Sequence, residues 1–341
     1  MVALMSETNP SMRALPAKAR IALVAPASPA RPENIDAAIN LLRNWGFDPV
    51  EMPHLRDVHL QLPYLAGTDM NRASDVMTAF TDASIDAVMC VRGGYGSARI
   101  LPFLDANVLL TAGSKPFYGS SDITALHDWL FEHTGRCSWF SPMPATAAVL
   151  EDSAAAAMLH DVMTGHIPSS IESCELQHDG DPVTVQGRVR GGNLSLLTAD
   201  TSTINTSERP KFQEPTILLI EDVHEKPYHI DEMLRQLVAA KYFSNVVGIM
   251  LGSWLGCDDT DVPHKSGKHN PSSGLSNVTH LPTPCIIRSI VDDVLGPLDI
   301  PIASGFDFGH GPAAHTIPIG ARATLSIQPD GAQAHFTIGQ E

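Results

Sequence analysis

The stretch IDAVMCVRGGYGSARI, residues 85–100, predicts the class of fold. Its first seven residues are mainly apolar, which is typical of a strand buried on both faces of a sheet. RGGYGS, residues 92–97, follows as a glycine-rich loop, and a short helix is expected from Ala98 onward. The same order of strand, loop and helix occurs in residues 20–45 and 116–129. This alternation predicts an α/β fold with a parallel sheet, whose ligands bind beyond the carboxyl ends of its strands.

The length and composition of the chain favour two domains. The 341 residues, of which 43% are hydrophobic, can bury a sizeable core. Residues 321–338 alternate between apolar and polar side chains, as a closing antiparallel hairpin does, and the polar stretch at 257–277 is typical of an exposed loop. The predicted division is a polar N-terminal tail at 1–19, an α/β domain at 20–170, a linker at 171–187 and a smaller β-rich domain at 188–341.

The formal net charge of −16 excludes some classes of partner. Such a charge repels nucleic acid and anionic membrane surfaces, so the expected partner is a small molecule or a peptide. The N-terminus lacks the apolar segment of a signal peptide and no apolar run is long enough to cross a membrane, which predicts a cytoplasmic protein. The five cysteines form no CxxC pair, which argues against a disulfide framework and a zinc–thiolate site. We therefore expect no metal and no cofactor.

Three groups of reactive side chains stand at predicted strand ends or in tight loops. They are Ser120-Ser121-Asp122, Glu221-Asp222, and the histidine of FGHG at 308–311. A serine becomes a nucleophile when a histidine accepts its proton, and a carboxylate orients that histidine. A serine at a strand-to-helix turn also lies near free backbone N–H groups that can stabilise an oxyanion. Together the three groups could form a hydrolase site.

Each group also has a simpler interpretation. The serines could cap the following helix, with Asp122 favourable in its first turn. Glu221 and Asp222 could be solvated residues at the end of a strand. His310, between two glycines, could be a loop residue with an unusual backbone angle.

Other patterns are weaker candidates for function. RGGYGS lacks the lysine of a P-loop and the glycine spacing of a dinucleotide site, so donation of a backbone N–H to a substrate oxygen is preferred. His127 and His133, on differing faces of one helix, are expected to be structural, and Tyr228 and Arg235 could frame a pocket or lie at the surface. A solvated loop is favoured over a metal site for a set of six side chains without ligand spacing: His224, Asp258, Asp259, Asp261, His264 and His269.

Five blocks of sequence taken together resemble the LD-carboxypeptidase family of serine peptidases. The blocks are VRGGYGSARILPFLD, YGSSDITALH, GRVRGGNLSLL, LLIEDVHEKPYHIDEMLRQL and GHGPAAHTIPIGARATL. Their order and spacing are similar to the family over nearly the whole chain. The resemblance implies a triad of Ser121 as nucleophile, His310 as base and Glu221 as the carboxylate that orients it. It also implies that the backbone N–H groups of Gly94 and Asp122 form the oxyanion hole.

The resemblance extends to architecture and activity. It implies a flavodoxin- or glutamine-amidotransferase-like N-terminal domain that carries the serine, a β-rich C-terminal domain that carries the glutamate and histidine, and a homodimer. Family members release terminal D-alanine from the L,D bond of murein tetrapeptides in peptidoglycan recycling. A related branch cleaves microcin-type peptidyl nucleotides, and a non-catalytic module that binds cell-wall peptides is a further alternative. RGGYGSARILP looks more like the muropeptide branch.

Two features depart from the family pattern. Glu221 and His310 are separated by 310 − 221 = 89 residues, which is longer than expected, and residues 257–277 are the natural place for the excess. Phe140-Ser141-Pro142 lacks the histidine–glycine pair often found at that position. Both departures predict an altered pocket.

Overall fold

A computed structural model describes residues 12–173, 175–176, 182–200, 211–258, 283–328 and 331–337. Most of the loop predicted at 257–277 therefore lies outside the described residues. The strands are β1 Arg20–Val24, β2 Asp48–Glu51, β3 Ala87–Cys90, β4 Phe117–Gly119, β5 Ser138–Phe140, β6 Ser170–Ser173, β7 Glu175–Leu176, β8 Val183–Asn193, β9 Thr216–Val223, β10 Val246–Leu255, β11 Ile302–Ser304, β12 Ile317–Ile319, β13 Arg322–Gln328 and β14 Gly331–Thr337.

The helices alternate with the strands through most of the chain. They are α1 Pro32–Asn44, α2 Asp69–Thr81, α3 Ser97–Ile100, α4 Ala106–Thr111, α5 Thr124–Thr134, α6 Ala147–Leu150, α7 Ser153–Met163, α8 Leu194–Asp200, α9 Pro227–Ala239 and α10 Thr283–Val294. Short 3₁₀ turns occur at Leu101–Phe103, Ser121–Ile123 and Gly296–Leu298.

Among the described residues, the first sheet has six strands in the order β12-β5-β4-β3-β1-β2. Strands β1 to β5 pair in parallel, as the sequence predicts, and β12 pairs antiparallel with β5. All four residues of β3 are buried, which explains its continuous apolar sequence. α1 buries Ile35, Ala38, Ile39 and Leu42, a spacing that places them on one helix face. The α/β prediction is confirmed.

In the part of the chain that the structure describes, the second sheet has eight strands in the order β6-β14-β13-β8-β9-β10-β11-β7. Its central strands β8 to β11 are parallel, and the predicted terminal hairpin is present as the antiparallel pair β13 and β14. Helices α8, α9 and α10 share a hydrophobic core with one face of this sheet. The other face shares a core with Phe140 of β5 and with β12, so the two sheets pack against each other.

Two segments differ from the predicted division of the chain. Residues 171–187, expected to be a linker, include most of β6, all of β7 and the start of β8, which belong to the second sheet. Short edge strands expose polar side chains, so their composition resembles that of a loop. Met12 and Leu15, in the expected polar tail, are buried in the core of the first sheet.

Candidate active site

Ser121 lies in a sharp turn between β4 and α5. Its φ angle of 60° is in the left-handed region, which is strained for a residue other than glycine and is found at functional turns. Ser120 is only 5% exposed, whereas Ser121 is partly exposed. Neither serine side chain caps the helix, so the helix-capping interpretation does not hold. The Thr124 hydroxyl instead donates a hydrogen bond to the Ser121 carbonyl oxygen at 2.7 Å.

The glycine loop after β3 packs directly against this turn. A Cβ atom at Gly93 would lie 2.9 Å from the Ser121 Cβ, so only glycine allows this approach. Within the described residues, the backbone N–H groups of Gly94 and Asp122 donate no hydrogen bond to the protein. Both amides are therefore available to an oxygen atom bound beside Ser121.

Asp122 joins the glycine loop to the serine turn. Its buried carboxylate accepts the Ser97 backbone N–H at 2.7 Å, and the Ser97 hydroxyl donates to the Asp122 carbonyl oxygen. Burial raises the pKa of Asp122, although the hydrogen bonds from Ser97 and Gly96 act in the opposite direction. The loop and the turn are thus held together at a second point beyond Gly93.

Glu221 and His310 form a hydrogen-bonded pair. Glu221 and Asp222, at the end of β9, are 0% and 2% exposed, so the interpretation of these carboxylates as solvated is wrong. His310 Nδ1 lies 2.7 Å from Glu221 Oε2. A Cβ atom at Gly309 would lie 2.5 Å from the same oxygen, so the glycine before the histidine is required for this approach.

The environment of His310 favours its protonated form. Burial by itself lowers the pKa of His310, but the charge of Glu221 and the hydrogen bond to it outweigh burial, and the pKa is raised above 6.5. Because a carboxylate accepts the proton on Nδ1, the neutral imidazole carries its lone pair on Nε2. The ring is therefore held in the tautomer that a general base needs.

Asn193, at the end of β8, connects the Ser121 turn to Glu221 and Asp222. Within GGNL it carries no sequence signal of its own. Its side-chain Nδ2 donates to Asp222 Oδ1 at 3.0 Å and lies 3.4 Å from Glu221 Oε1. Its backbone N–H donates to the Thr124 hydroxyl at 3.0 Å, which in turn bonds the Ser121 carbonyl. A chain of hydrogen bonds thus runs from the Ser121 turn to the carboxylate that holds His310.

Ser253, on β10, holds the histidine loop and has no recognisable signal in the sequence. Its hydroxyl oxygen accepts the backbone N–H groups of His310 at 2.9 Å and Gly311 at 2.8 Å. A cavity of about 800 Å³ opens beside this loop and is bordered by Ser253, Trp254 and Arg288. Such a volume is typical of sites for small ligands.

The remaining candidate residues lie elsewhere. His127 is buried, bonds the Gly119 carbonyl oxygen and the Ser138 hydroxyl, and has a pKa lowered by burial to about 4, which confirms the structural role predicted for it. Tyr228 is 60% exposed, and Arg235 pairs with Asp231 and with the exposed Asp293. Four of the six residues of the rejected metal site, Asp259, Asp261, His264 and His269, lie outside the described residues. The helices of the described residues are too short or too polar to span a membrane.

The chain is similar to known proteins along most of its length. The LD-carboxypeptidase N-terminal domain matches residues 21–141, and the LD-carboxypeptidase C-terminal domain matches residues 186–325. A putative carboxypeptidase of Streptomyces coelicolor is 37% identical over 90% of this chain and 90% of its own length. The murein tetrapeptide carboxypeptidase of Pseudomonas aeruginosa is 30% identical over 91% of this chain and 94% of its own length. The chain therefore belongs to the LD-carboxypeptidase family, which is a family of peptidases.

Solved structures show the same fold. The muramoyltetrapeptide carboxypeptidase from Oxalobacter formigenes aligns with 94% of this chain and all of its own, with a TM-score of 0.72 and 24% identity. MccF in complex with glutamyl sulfamoyl guanosine aligns with 97% of this chain and all of its own, with a TM-score of 0.74 and 20% identity. At these identities the similarity establishes the fold alone.

Proposed function

We propose that this protein is a metal-independent serine carboxypeptidase that hydrolyses the L,D peptide bond before the terminal D-alanine of murein tetrapeptides. The observation that carries the proposal is the Glu221–His310 hydrogen bond of 2.7 Å, which Asn193 and Thr124 connect to the strained Ser121 turn. A relative named murein tetrapeptide carboxypeptidase, 30% identical over 91% of the chain, supports the substrate class.

In the proposed reaction the Ser121 hydroxyl attacks the carbonyl carbon of the scissile bond, and His310 Nε2 accepts its proton. Glu221 stabilises the imidazolium that forms. The N–H groups of Gly94 and Asp122 bind the oxyanion, and each such donor contributes roughly 3 to 4 kcal/mol to the transition state. The C–N bond then breaks, and His310 returns the proton to the amine of the leaving D-alanine. Water attacks the acyl-enzyme with His310 as base, which releases the shortened peptide and restores Ser121.

The setting of this reaction is also part of the proposal. The enzyme acts in the cytoplasm, in peptidoglycan recycling, on peptides that have left the cell wall. The homodimer is proposed from the family resemblance. A parallel sheet whose strand ends carry Ser121 and the glycine loop fits a small-molecule or peptide substrate at that edge.

Incubation with a murein tetrapeptide tests the proposal by measuring released D-alanine. Ser121→Ala is expected to lower kcat by at least about 10³-fold, since it removes the nucleophile. Ser120→Ala, the matched control, changes a buried neighbour and is expected to retain most of the activity. If the two variants are equally inactive, Ser121 is not specifically the nucleophile.

Each of the two alternative functions predicts a different combination of binding and turnover. Turnover of an acyl-sulfamoyl nucleotide without release of D-alanine from the tetrapeptide would indicate the microcin-type activity. Tight binding of the tetrapeptide without turnover at any pH would indicate a non-catalytic binding module.

A further inference from the structure

Arg92 is an exposed cation and the first residue of the glycine loop. Its Nη1 donates a hydrogen bond to the Pro29 carbonyl oxygen at 3.1 Å. Within the part of the chain that the structure describes, Arg92 forms no ion pair. The chain carries 22 lysines and arginines against 38 aspartates and glutamates, so acidic partners are abundant overall. The charge and the remaining donors of Arg92 are therefore available to an anionic group of a ligand.

Arg92 is the chain neighbour of a residue that packs against Ser121. The next residue, Gly93, is the one whose Cβ position lies 2.9 Å from the Ser121 Cβ. The Gly93 carbonyl oxygen accepts the Ser28 N–H at 3.2 Å, which joins the glycine loop to the turn that follows β1. The guanidinium group of Arg92 bonds Pro29 in the same turn. The guanidinium group therefore lies where the glycine loop meets the turn after β1. We call this junction, formed by Ser28, Pro29, Arg92 and Gly93, the rim.

Three carboxylates near the glycine loop and the Ser121 turn have partners, whereas the exposed Glu33, two residues after Arg31, forms no ion pair among the described residues. Glu221 bonds His310, and the carboxylate of Asp122 accepts the Ser97 N–H. Asp69 pairs with both Arg72 and Arg99. Arg31, two residues after Pro29, is likewise exposed and forms no ion pair among the described residues. Arg92 and Arg31 thus give the region around the rim two unpaired cations against one unpaired carboxylate, Glu33, among the described residues, and these cations can attract an anionic ligand.

We propose that Arg92 binds the C-terminal carboxylate of the substrate, which becomes the carboxylate of the leaving D-amino acid. The inference rests on the proposed function. A carboxypeptidase must distinguish a terminal residue from an internal one, and the free carboxylate is the group that differs. A guanidinium group matches a carboxylate with two parallel hydrogen bonds. Among the described residues, Arg92 donates one hydrogen bond, to Pro29. Its other N–H donors are therefore available to bind the carboxylate.

The test compares the tetrapeptide with its C-terminal amide, which lacks the negative charge. The wild type is expected to prefer the acid. Arg92→Gln is expected to lower kcat/KM for the acid by roughly 10- to 100-fold, mainly through KM, because hydrogen bonds to a charged group are lost. The amide loses much less, so the preference for the acid disappears. Arg92→Lys keeps the charge but loses the two-point match, and an intermediate preference is expected.

The matched control is Arg43→Gln, in the last turn of α1. Arg43 is also exposed and also without an ion pair in the described parts of the chain. Arg43→Gln is therefore expected to leave kcat/KM unchanged for both the acid and the amide. Equal losses for acid and amide in Arg92→Gln would overturn the proposal, because they indicate a structural role at Pro29. An unchanged preference for the acid would also overturn it. A wild type that cleaves neither substrate would instead refute the proposed function itself.

Discussion

At the scale of single residues, the fold changes the chemistry of His310. An isolated histidine loses most of its charge by pH 7, but the carboxylate of Glu221 at 2.7 Å keeps His310 protonated to a higher pH. The same carboxylate orients the ring through Nδ1 and stabilises the imidazolium formed during the proposed reaction. The pair therefore lowers the fraction of neutral His310 near neutral pH, but it stabilises the imidazolium that forms during the proposed reaction.

The pH dependence of kcat/KM follows from this pair. We expect activity to rise with pH through a midpoint above 6.5, because only neutral His310 can accept the serine proton and its pKa is raised. Glu221→Gln removes the charge that raises the pKa, so the midpoint moves to lower pH while the rate falls. A pH–rate profile tests both effects, with NMR titration of His310 where turnover is too slow. A midpoint that rises in Glu221→Gln would contradict this interpretation.

At the scale of elements, the glycine loop at 92–97 is held on several sides. The Ser28 hydroxyl accepts the Tyr95 N–H at 3.1 Å and donates to the Tyr64 carbonyl oxygen at 2.7 Å. The buried guanidinium of Arg72 donates to the Gly96 carbonyl oxygen at 2.8 Å. These contacts position the Gly94 N–H before a substrate binds, and such preorganised donors stabilise a developing charge most effectively.

Ser28→Ala tests this positioning. The substitution leaves the Tyr95 N–H without its acceptor, and we expect kcat to fall about 10-fold, corresponding to roughly 1 to 2 kcal/mol, with a smaller change in KM. Ser141→Ala is the control, because Ser141 is fully buried and its hydroxyl has no hydrogen-bond partner within the described residues. Steady-state kinetics of both variants measure the changes in kcat and KM separately. Equal effects on kcat, or an effect on KM alone, would show that Ser28 does not position the loop.

At the scale of the whole molecule, the candidate site depends on two sheets that pack together. Ser121 follows a strand of the first sheet, while Glu221 ends a strand of the second. A buried ion network also joins them, in which Asp128 of α5 pairs with Arg190 of β8 and with Lys211. The two cations are 5% and 7% exposed, so they depend on these carboxylates.

Asp128→Ala is expected to destabilise the protein strongly. It leaves Arg190 with Glu132 and Lys211 with Asp200 as their remaining acidic partners, and loss of one partner of a buried pair typically costs about 3 kcal/mol or more. Urea denaturation measures this change in the free energy of unfolding.

The control for Asp128→Ala is Asp36→Ala. Asp36 also pairs with an arginine, Arg56, that keeps a second carboxylate, but Asp36 is 62% exposed and a change below about 1 kcal/mol is expected. Similar losses in the two variants would mean that the buried network adds nothing beyond a surface ion pair.

The sequence predicted the elements well where the signal was local. Continuous apolar runs such as that of β3 indicate buried parallel strands, and alternation in residues 321–338 indicates the final hairpin, because each pattern reflects the geometry of its own element. The strands within 171–187, where a linker is expected, carry little signal of their own, since edge strands are formed by pairing with distant strands. Asn193 and Ser253 were missed for a similar reason, as their bonds reach across 28 or more residues.

The sequence by itself determined the α/β class, the order of the elements and, through its five blocks, the family. Only the tertiary structure decided that Glu221 is fully buried against His310, that Ser121 rather than Ser120 is partly exposed, and that Arg92 has no acidic partner among the described residues. Local periodicity depends on neighbouring residues alone. Burial, charge pairing and a hydrogen bond across 89 residues depend on how distant strands and loops pack against one another.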